Sequence, residues 1–194
     1  GIKEKGVKPI NIKDYPAIKK HLDGFWKGIE KRADQGDTPY NLRNCAYMED
    51  FSKQKIIYPG IMRIAKSNQA NFPRFALDNE EHFFFGNDCY FLVGKDLEYL
   101  WLILNSTLLG YLFRYYIYSF DETGFKIFTD YFQDIPLPLP DKEKLKDTKQ
   151  LLRKEINIAS INNWVYKLMD FTDEEITEIE NSVSKILENI SESQ

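Results

Sequence analysis

The chain has 194 residues, 43% hydrophobic and 29% charged, with a net charge of −4. That is the composition of a soluble globular chain with room for one sizeable core and a further helical part. Two cysteines far apart, Cys45 and Cys89, exclude a disulfide framework and a zinc site built from cysteine alone, and read as reduced thiols of a cytoplasmic protein.

No apolar run approaches the roughly 20 residues needed to cross a bilayer. The longest candidate, 97–118, is broken by Asn105, Ser106 and Arg114, and no secretory signal opens the chain. Gly1 stands where an initiator Met would, which suggests a segment of a longer protein. Charge is uneven: residues 1–74 hold 15 Lys and Arg against 8 Asp and Glu, whereas residues 75–194 hold 11 against 22. A basic stretch beside an acidic remainder suits a nucleic-acid face on a soluble protein.

In chain order, Tyr15, Ile18, Leu22, Phe25, Trp26 and Ile29 recur at three- and four-residue spacing and predict one helix over 14–33. Asp14 can cap it, and Pro16 is tolerated in a first turn. Gly36 and Pro39 make 34–39 a loop. Lys55-Ile56-Ile57-Tyr58 then reads as a buried strand ending in a Pro-Gly turn. Further short strands are predicted at 74–77, 82–85 and 89–93, separated by Asp78-Asn79 and Gly86-Asn87-Asp88.

Helical spacing returns with Leu97, Leu100, Trp101 and Leu104, and resumes beyond Asn105-Ser106 with Leu108, Leu109, Leu112 and Phe113. A loop at 121–124 precedes Phe125, Phe128 and Phe132. The alternate prolines of Ile135-Pro136-Leu137-Pro138-Leu139-Pro140 force extended backbone. They place a boundary between a domain at 1–140 and a helical appendage at 141–194. Within the appendage, helices are predicted near 142–156, 158–168 and 172–190. Thr172 and Glu175 form a capping box, and Ile176, Ile179, Val183, Ile186, Leu187 and Ile190 line one face for docking on this chain or on a partner helix. The fold class expected is α+β: a small mixed or antiparallel sheet packed with helices, then the helical appendage.

No catalytic constellation stands out. His21 and His82 lack ligand-spaced partners and read as structural or surface residues. There is no phosphate-binding glycine loop, no nucleophile elbow and no Asn/Asp-Pro-Pro-aromatic loop. Asp141, Glu143 and Lys144 contain the letters of a metal-dependent nuclease motif but stand too close together. What is present is a basic and aromatic interleaving from Lys31 to Arg74. Arginine can fork onto guanine, asparagine can pair with adenine, and lysine suits phosphates.

The run Glu30-Lys31-Arg32-Ala33-Asp34, Thr38-Pro39-Tyr40-Asn41-Leu42-Arg43 and Phe51-Ser52-Lys53-Gln54-Lys55-Ile56-Ile57-Tyr58-Pro59 resembles the TaqI-type C-terminal specificity domain. Such domains occur in type II restriction–modification enzymes and adenine-N6 DNA methyltransferases. The likeness continues through Tyr90-Phe91-Leu92-Val93, Leu102-Ile103-Leu104-Asn105-Ser106, Gly124-Phe125, Tyr131-Phe132 and Ile135-Pro136-Leu137-Pro138. It ends at Asn163-Trp164-Val165-Tyr166-Lys167-Leu168 and Thr172-Asp173-Glu174-Glu175-Ile176, so it spans roughly residues 10–180. Tyr40 stands where the family commonly has Trp, and Met169-Asp170-Phe171 replaces its usual Tyr-Gly-Leu.

The resemblance implies a target-recognition module that grips double-stranded DNA while methyltransferase or nuclease domains lie N-terminal in the same polypeptide. The target adenine would be flipped into that other domain. S-adenosylmethionine and, for cleavage, magnesium would belong there, and this chain would need no cofactor and carry no catalytic residue. The DNA contacts expected are Arg32, Tyr40, Asn41, Arg43, Lys53, Lys55, Arg63, Lys66 and Arg74, with Lys126 of the Gly-Phe loop. Arg43 has two readings, a specificity arginine or a structural one paired with Asp37 or Glu49. The alternative function is a subunit-docking module of a multi-subunit restriction–modification complex.

Overall fold

The structure is a computed structural model in which residues 5–65, 67–80, 83–121 and 124–192 are described, the side chains of Gln69 and of residues 190–192 excepted. The chain is α+β and divides into two compact units, Gly1–Met48 and Glu49–Gln194.

In the first unit the single helix expected over 14–33 is two short ones, α1 (Pro16–Asp23) and α2 (Trp26–Ile29). The break falls at Gly24 and Phe25, whose N–H groups donate to His21 O at 3.2 Å and Leu22 O at 2.9 Å. Those are tightened, three-residue bonds. Glycine is a weak helix former, and no described residue of this unit is buried, so no core holds the apolar stripe in one register. The loop that follows closes on itself. Gly36 N–H donates to Asn41 O at 2.8 Å and Arg43 N–H to Asp34 O at 3.0 Å. A Cβ on Gly36 would lie 2.3 Å from Leu42 O, so only glycine fits that approach.

The second unit holds two antiparallel three-stranded sheets. In the first, β1 (Lys55–Pro59) lies between β3 (Ala76–Asp78) and β4 (Cys89–Leu92). The second sheet, not foreseen from sequence, sets β6 (Gly124–Lys126) between β2 (Ile61–Arg63) and β5 (Tyr118–Phe120). Gly60 carries the chain from one sheet to the other, donating to Asp88 O and accepting from Ile127 N–H, each at 2.8 Å.

Two strand expectations change. The strand expected at 74–77 runs from Ala76 to Asp78, because Phe75 is held by a side chain instead of a strand. Its N–H donates to Asn105 Oδ1, and its carbonyl accepts from Asn105 Nδ2, both at 3.0 Å. Of the strand expected at 82–85, Glu81 and His82 lie outside the described residues. Residues 83–85 form no strand: Phe83 N–H is taken by Asp78 Oδ2 at 3.2 Å, and the Phe84 ring stacks on Phe51.

The helices are α3 (Leu97–Leu104), α4 (Thr107–Tyr116), α5 (Thr129–Phe132), α6 (Lys142–Leu151), α7 (Ile158–Leu168) and α8 (Asp173–Glu192). Helix α3 is the hinge of the packing, because it is apolar nearly all round. Leu97 and Leu104 join a cluster with Ile56, Met62, Phe113 and Ile127, while Tyr99, Leu102 and Ile103 join Ile161, Val165 and Ile179. Each large side chain buried this way contributes about 1.5–3 kcal/mol.

Helices α6 to α8 complete this packing. The Asn162 carboxamide of α7 clamps the start of α4, accepting from Thr107 N–H at 2.8 Å and donating to its hydroxyl at 2.7 Å. Asn157 and Ser160 form a reciprocal cap on α7. The Thr172–Glu175 box is present, with Thr172 N–H donating to Glu175 Oε2 at 2.8 Å and Glu175 N–H to Thr172 Oγ1 at 3.3 Å. The apolar stripe of α8 is used within this chain: Ile179 and Val183 are buried in the two clusters. Helix α6 ends at Leu151, short of the expected 156. The proline segment 135–140 lies within the second unit, and Pro138 O accepts the Tyr99 hydroxyl at 3.0 Å.

Candidate nucleic-acid interface

The second sheet builds a basic and aromatic face from pleat geometry. Register aligns Ile61, Lys126 and Tyr118 in one row and Arg63, Gly124 and Phe120 in the next. Directly opposed residues share a face. Between those rows, Met62 and Phe125 point the other way into the core. The outward face therefore carries Arg63, Lys126, Phe120 and Tyr118, the last 64% exposed.

The Arg63 guanidinium sits 4.9 Å from the Phe120 ring centre, and the Lys126 ammonium lies 5.9 Å from Phe120 and 4.6 Å from Phe128. Cations over aromatic faces are held ready without being neutralised. Gly124 lets β2 approach closely, because a Cβ there would lie 2.6 Å from Met62 O. Arg63 also pairs with Asp121 at 3.2 Å, an exposed bond that a phosphate can replace.

Arg74 supports this face from behind. Its Nη2 donates to Arg63 O at 2.6 Å, while its Nη1 is buried without a partner. Burial pushes the Arg74 guanidinium below its ordinary value.

Of the other expected contacts, three are used inside the first unit. Arg32 Nη2 donates to Asn41 O at 2.6 Å. The Tyr40 hydroxyl donates to Asp23 Oδ1 at 2.6 Å, and its ring lies against Trp26 at 5.3 Å. Asn41 donates to Ile10 O at 3.1 Å and accepts from Thr38 at 2.7 Å. Together they hold the 34–43 loop that presents Arg43. The Arg43 side chain is exposed and bonds to no described residue of its own unit, so the structural pairing with Asp37 does not form.

Lys53 is exposed and paired with Asp50 at 2.6 Å, which raises the pKa of its ammonium. Lys66 lies outside the described residues. Lys55 is a correction: its side chain is 0% exposed, bound to Asp78 at 2.5 Å and Phe51 O at 2.7 Å. A phosphate cannot reach it, and its role is to hold β1 against β3.

Sequence reasoning missed Tyr118, Phe120 and Phe128. The only signal was a two-residue alternation in Tyr118-Ser119-Phe120 and Lys126-Ile127-Phe128, hidden beside a leucine-rich helix.

A separate cavity of about 550 Å³ in the second unit is lined by Pro59, Arg74, Trp101, Asn105 and Ile161 among others. Its Trp101 indole and Asn105 carboxamide already donate to Phe75 O. Among the described residues no group of three or more His, Cys, Asp or Glu could hold a metal ion. No described helix is long and apolar enough to cross a membrane. Comparison with protein-family models, curated proteins and solved structures finds no match.

Proposed function

We propose that this chain reads duplex DNA as the specificity module of a restriction–modification enzyme of the TaqI type, with methyl transfer or cleavage carried out by other domains of that enzyme. The observation that carries the reading is the outward face of the second sheet, where Arg63 and Lys126 stand over Phe120 and Phe128. Arg63 and Lys126 anchor phosphates, which fixes register without reading sequence. The free guanidinium of Arg43, on its braced loop, forks onto a guanine edge. S-adenosylmethionine and magnesium act at the other domains, and this chain contributes grip and readout.

The test is retention of random duplexes by the chain at low and raised salt, followed by sequencing. Enrichment of one short site is expected, with weaker binding as salt rises. Arg43→Ala relaxes one position of that site by about 1–3 kcal/mol, and R63Q/K126Q weakens all duplexes alike. Failure to retain any duplex overturns the reading, and methyl transfer or cleavage by the chain alone overturns its non-catalytic part.

A docking role is favoured by one observation in the first unit, where Val7, Ile10, Ile18 and Phe25 stay exposed. Attachment there to a catalytic domain would be apolar and insensitive to salt, which separates it from DNA binding.

A further inference from the structure

Helix α6 bears a second basic surface, unlike the remainder of its half of the chain. Residues 75–194 hold 11 cations, and Lys142, Lys144, Lys146, Lys149, Arg153 and Lys154 place six of them in one short segment. Lys142, Lys146 and Lys149 fall within about 60° of arc at 3.6 residues per turn. Arg153, just past the cap at Leu152, lines the same groove of about 440 Å³. All four are exposed, and none bonds to a described residue.

The other cation on the helix is drawn elsewhere: Lys144 pairs with Asp141 at 3.2 Å. Glu143 and Asp147 stand on the flank of the helix. Leu151 and the buried Thr148 hold the opposite side against the unit. Like charges three and four residues apart destabilise a helix, so this stripe works against its own element unless an anion lies along it.

We infer that α6 is a phosphate track for duplex DNA, separate from the sheet face and blind to sequence; this rests on the DNA-binding reading above. From Lys142 to Lys149 is about 10 Å along the axis, a length over which one DNA strand presents roughly three phosphates. Long lysine side chains reach such a row without fixed geometry, as backbone contacts require.

The experiment titrates a duplex of random sequence across a salt series with the 194-residue chain, K146Q/K149Q/R153Q and R63Q/K126Q. The α6 variant is expected to bind less tightly and to have a log-affinity against log-salt slope shallower by roughly 2 to 3. Its loss should be equal for every duplex, and its helical circular dichroism unchanged. If the α6 variant matches the parent while R63Q/K126Q loses affinity, the inference falls and the sheet reading stands. If the α6 variant alone loses affinity, the inference stands and the sheet reading falls. A parent chain that binds no duplex overturns both. Binding to phosphatidylserine vesicles in place of duplex, lost in the α6 variant, overturns the track in favour of a lipid surface.

Discussion

The two units are written in the same alphabet of apolar helical spacing but use it differently. In residues 49–194 the spacing is matched by facing elements, and α3 alone contributes five buried side chains. In residues 1–48 an equally regular stripe buries nothing among the described residues. Polar ties hold that unit: Arg32 to the Asn41 carbonyl, Tyr40 to Asp23, and Asn41 to the Ile10 carbonyl. Periodicity states which residues share a face, not whether a partner covers it. So short a unit has too little interior to bury such a stripe by itself.

The largest effect expected belongs to the buried pair of the second unit. Asp78→Ala leaves the Lys55 ammonium without its counter-charge and frees the Glu80 and Phe83 N–H groups that the carboxylate also accepts. Breaking such a pair costs about 3–5 kcal/mol, read as a fall in the urea midpoint of the second unit. Replacing both partners together, K55M/D78L, should recover most of that loss, since apolar side chains of similar volume suffer no desolvation penalty. A double variant as unstable as the single one would show that the carboxylate acts through the backbone N–H donors of Glu80 and Phe83 instead.

Next in size is a matched pair of truncations, one in each unit. Leu109 is 0% exposed and Ile18 is 52% exposed, though both lie on apolar helical faces. Leu109→Ala should cost about 2–5 kcal/mol, and Ile18→Ala no more than about 0.5 kcal/mol. Chemical denaturation of the two variants checks this directly. A large loss at Ile18 would mean that its stripe is covered, and would erase the contrast between the units.

A smaller contrast is written in pH. Burial pushes the phenols of Tyr58, Tyr99 and Tyr166, all in the second unit, up to about 12. A phenol whose folded value is raised contributes stability that is complete below its unfolded value, near 10. That contribution is lost as pH climbs from there through the folded value. The second unit should therefore loosen between about pH 10 and 12, with these three tyrosines ionising last. Absorbance of tyrosinate followed beside circular dichroism tests the order.

Much of the second unit was legible because its signals are local and redundant. Helix α7 spans Ile158–Leu168, the range expected for it, and β1 is the expected Lys-Ile-Ile-Tyr strand with one residue more. The second sheet was hidden because strands of three residues are too short to show a period, and its pairing spans the chain from Ile61 to Lys126. The same distance disguised Lys55, whose partner Asp78 lies 23 residues away. Composition could mark Arg63 and Lys126 as cations. Only register could place Phe120 and Tyr118 beside them.

The smallest effect expected lies on the surface of the first unit, where Lys19, Asp23 and Tyr40 meet. Lys19 Nζ lies 2.7 Å from Asp23 Oδ2 and 5.4 Å from the centre of the Tyr40 ring. The hydrogen bond from Lys19, then that from Tyr40, holds the Asp23 carboxyl below its ordinary range. Asp23 ends α1, where the helix dipole disfavours a negative charge, so the two donors must outweigh it. A depressed carboxylate contributes stability above its unfolded value and loses it as pH falls through the folded one. Trp26, against Tyr40, is the reporter: its indole resonance should move with a midpoint below the ordinary carboxylate range. In Asp23→Asn that movement should vanish, while the indole of Trp101, which donates to Phe75 O, stays still in both proteins. An unmoved Trp26 in the parent would mean that the tie does not order the loop carrying Arg43, and the readout assigned to that arginine would lose its support.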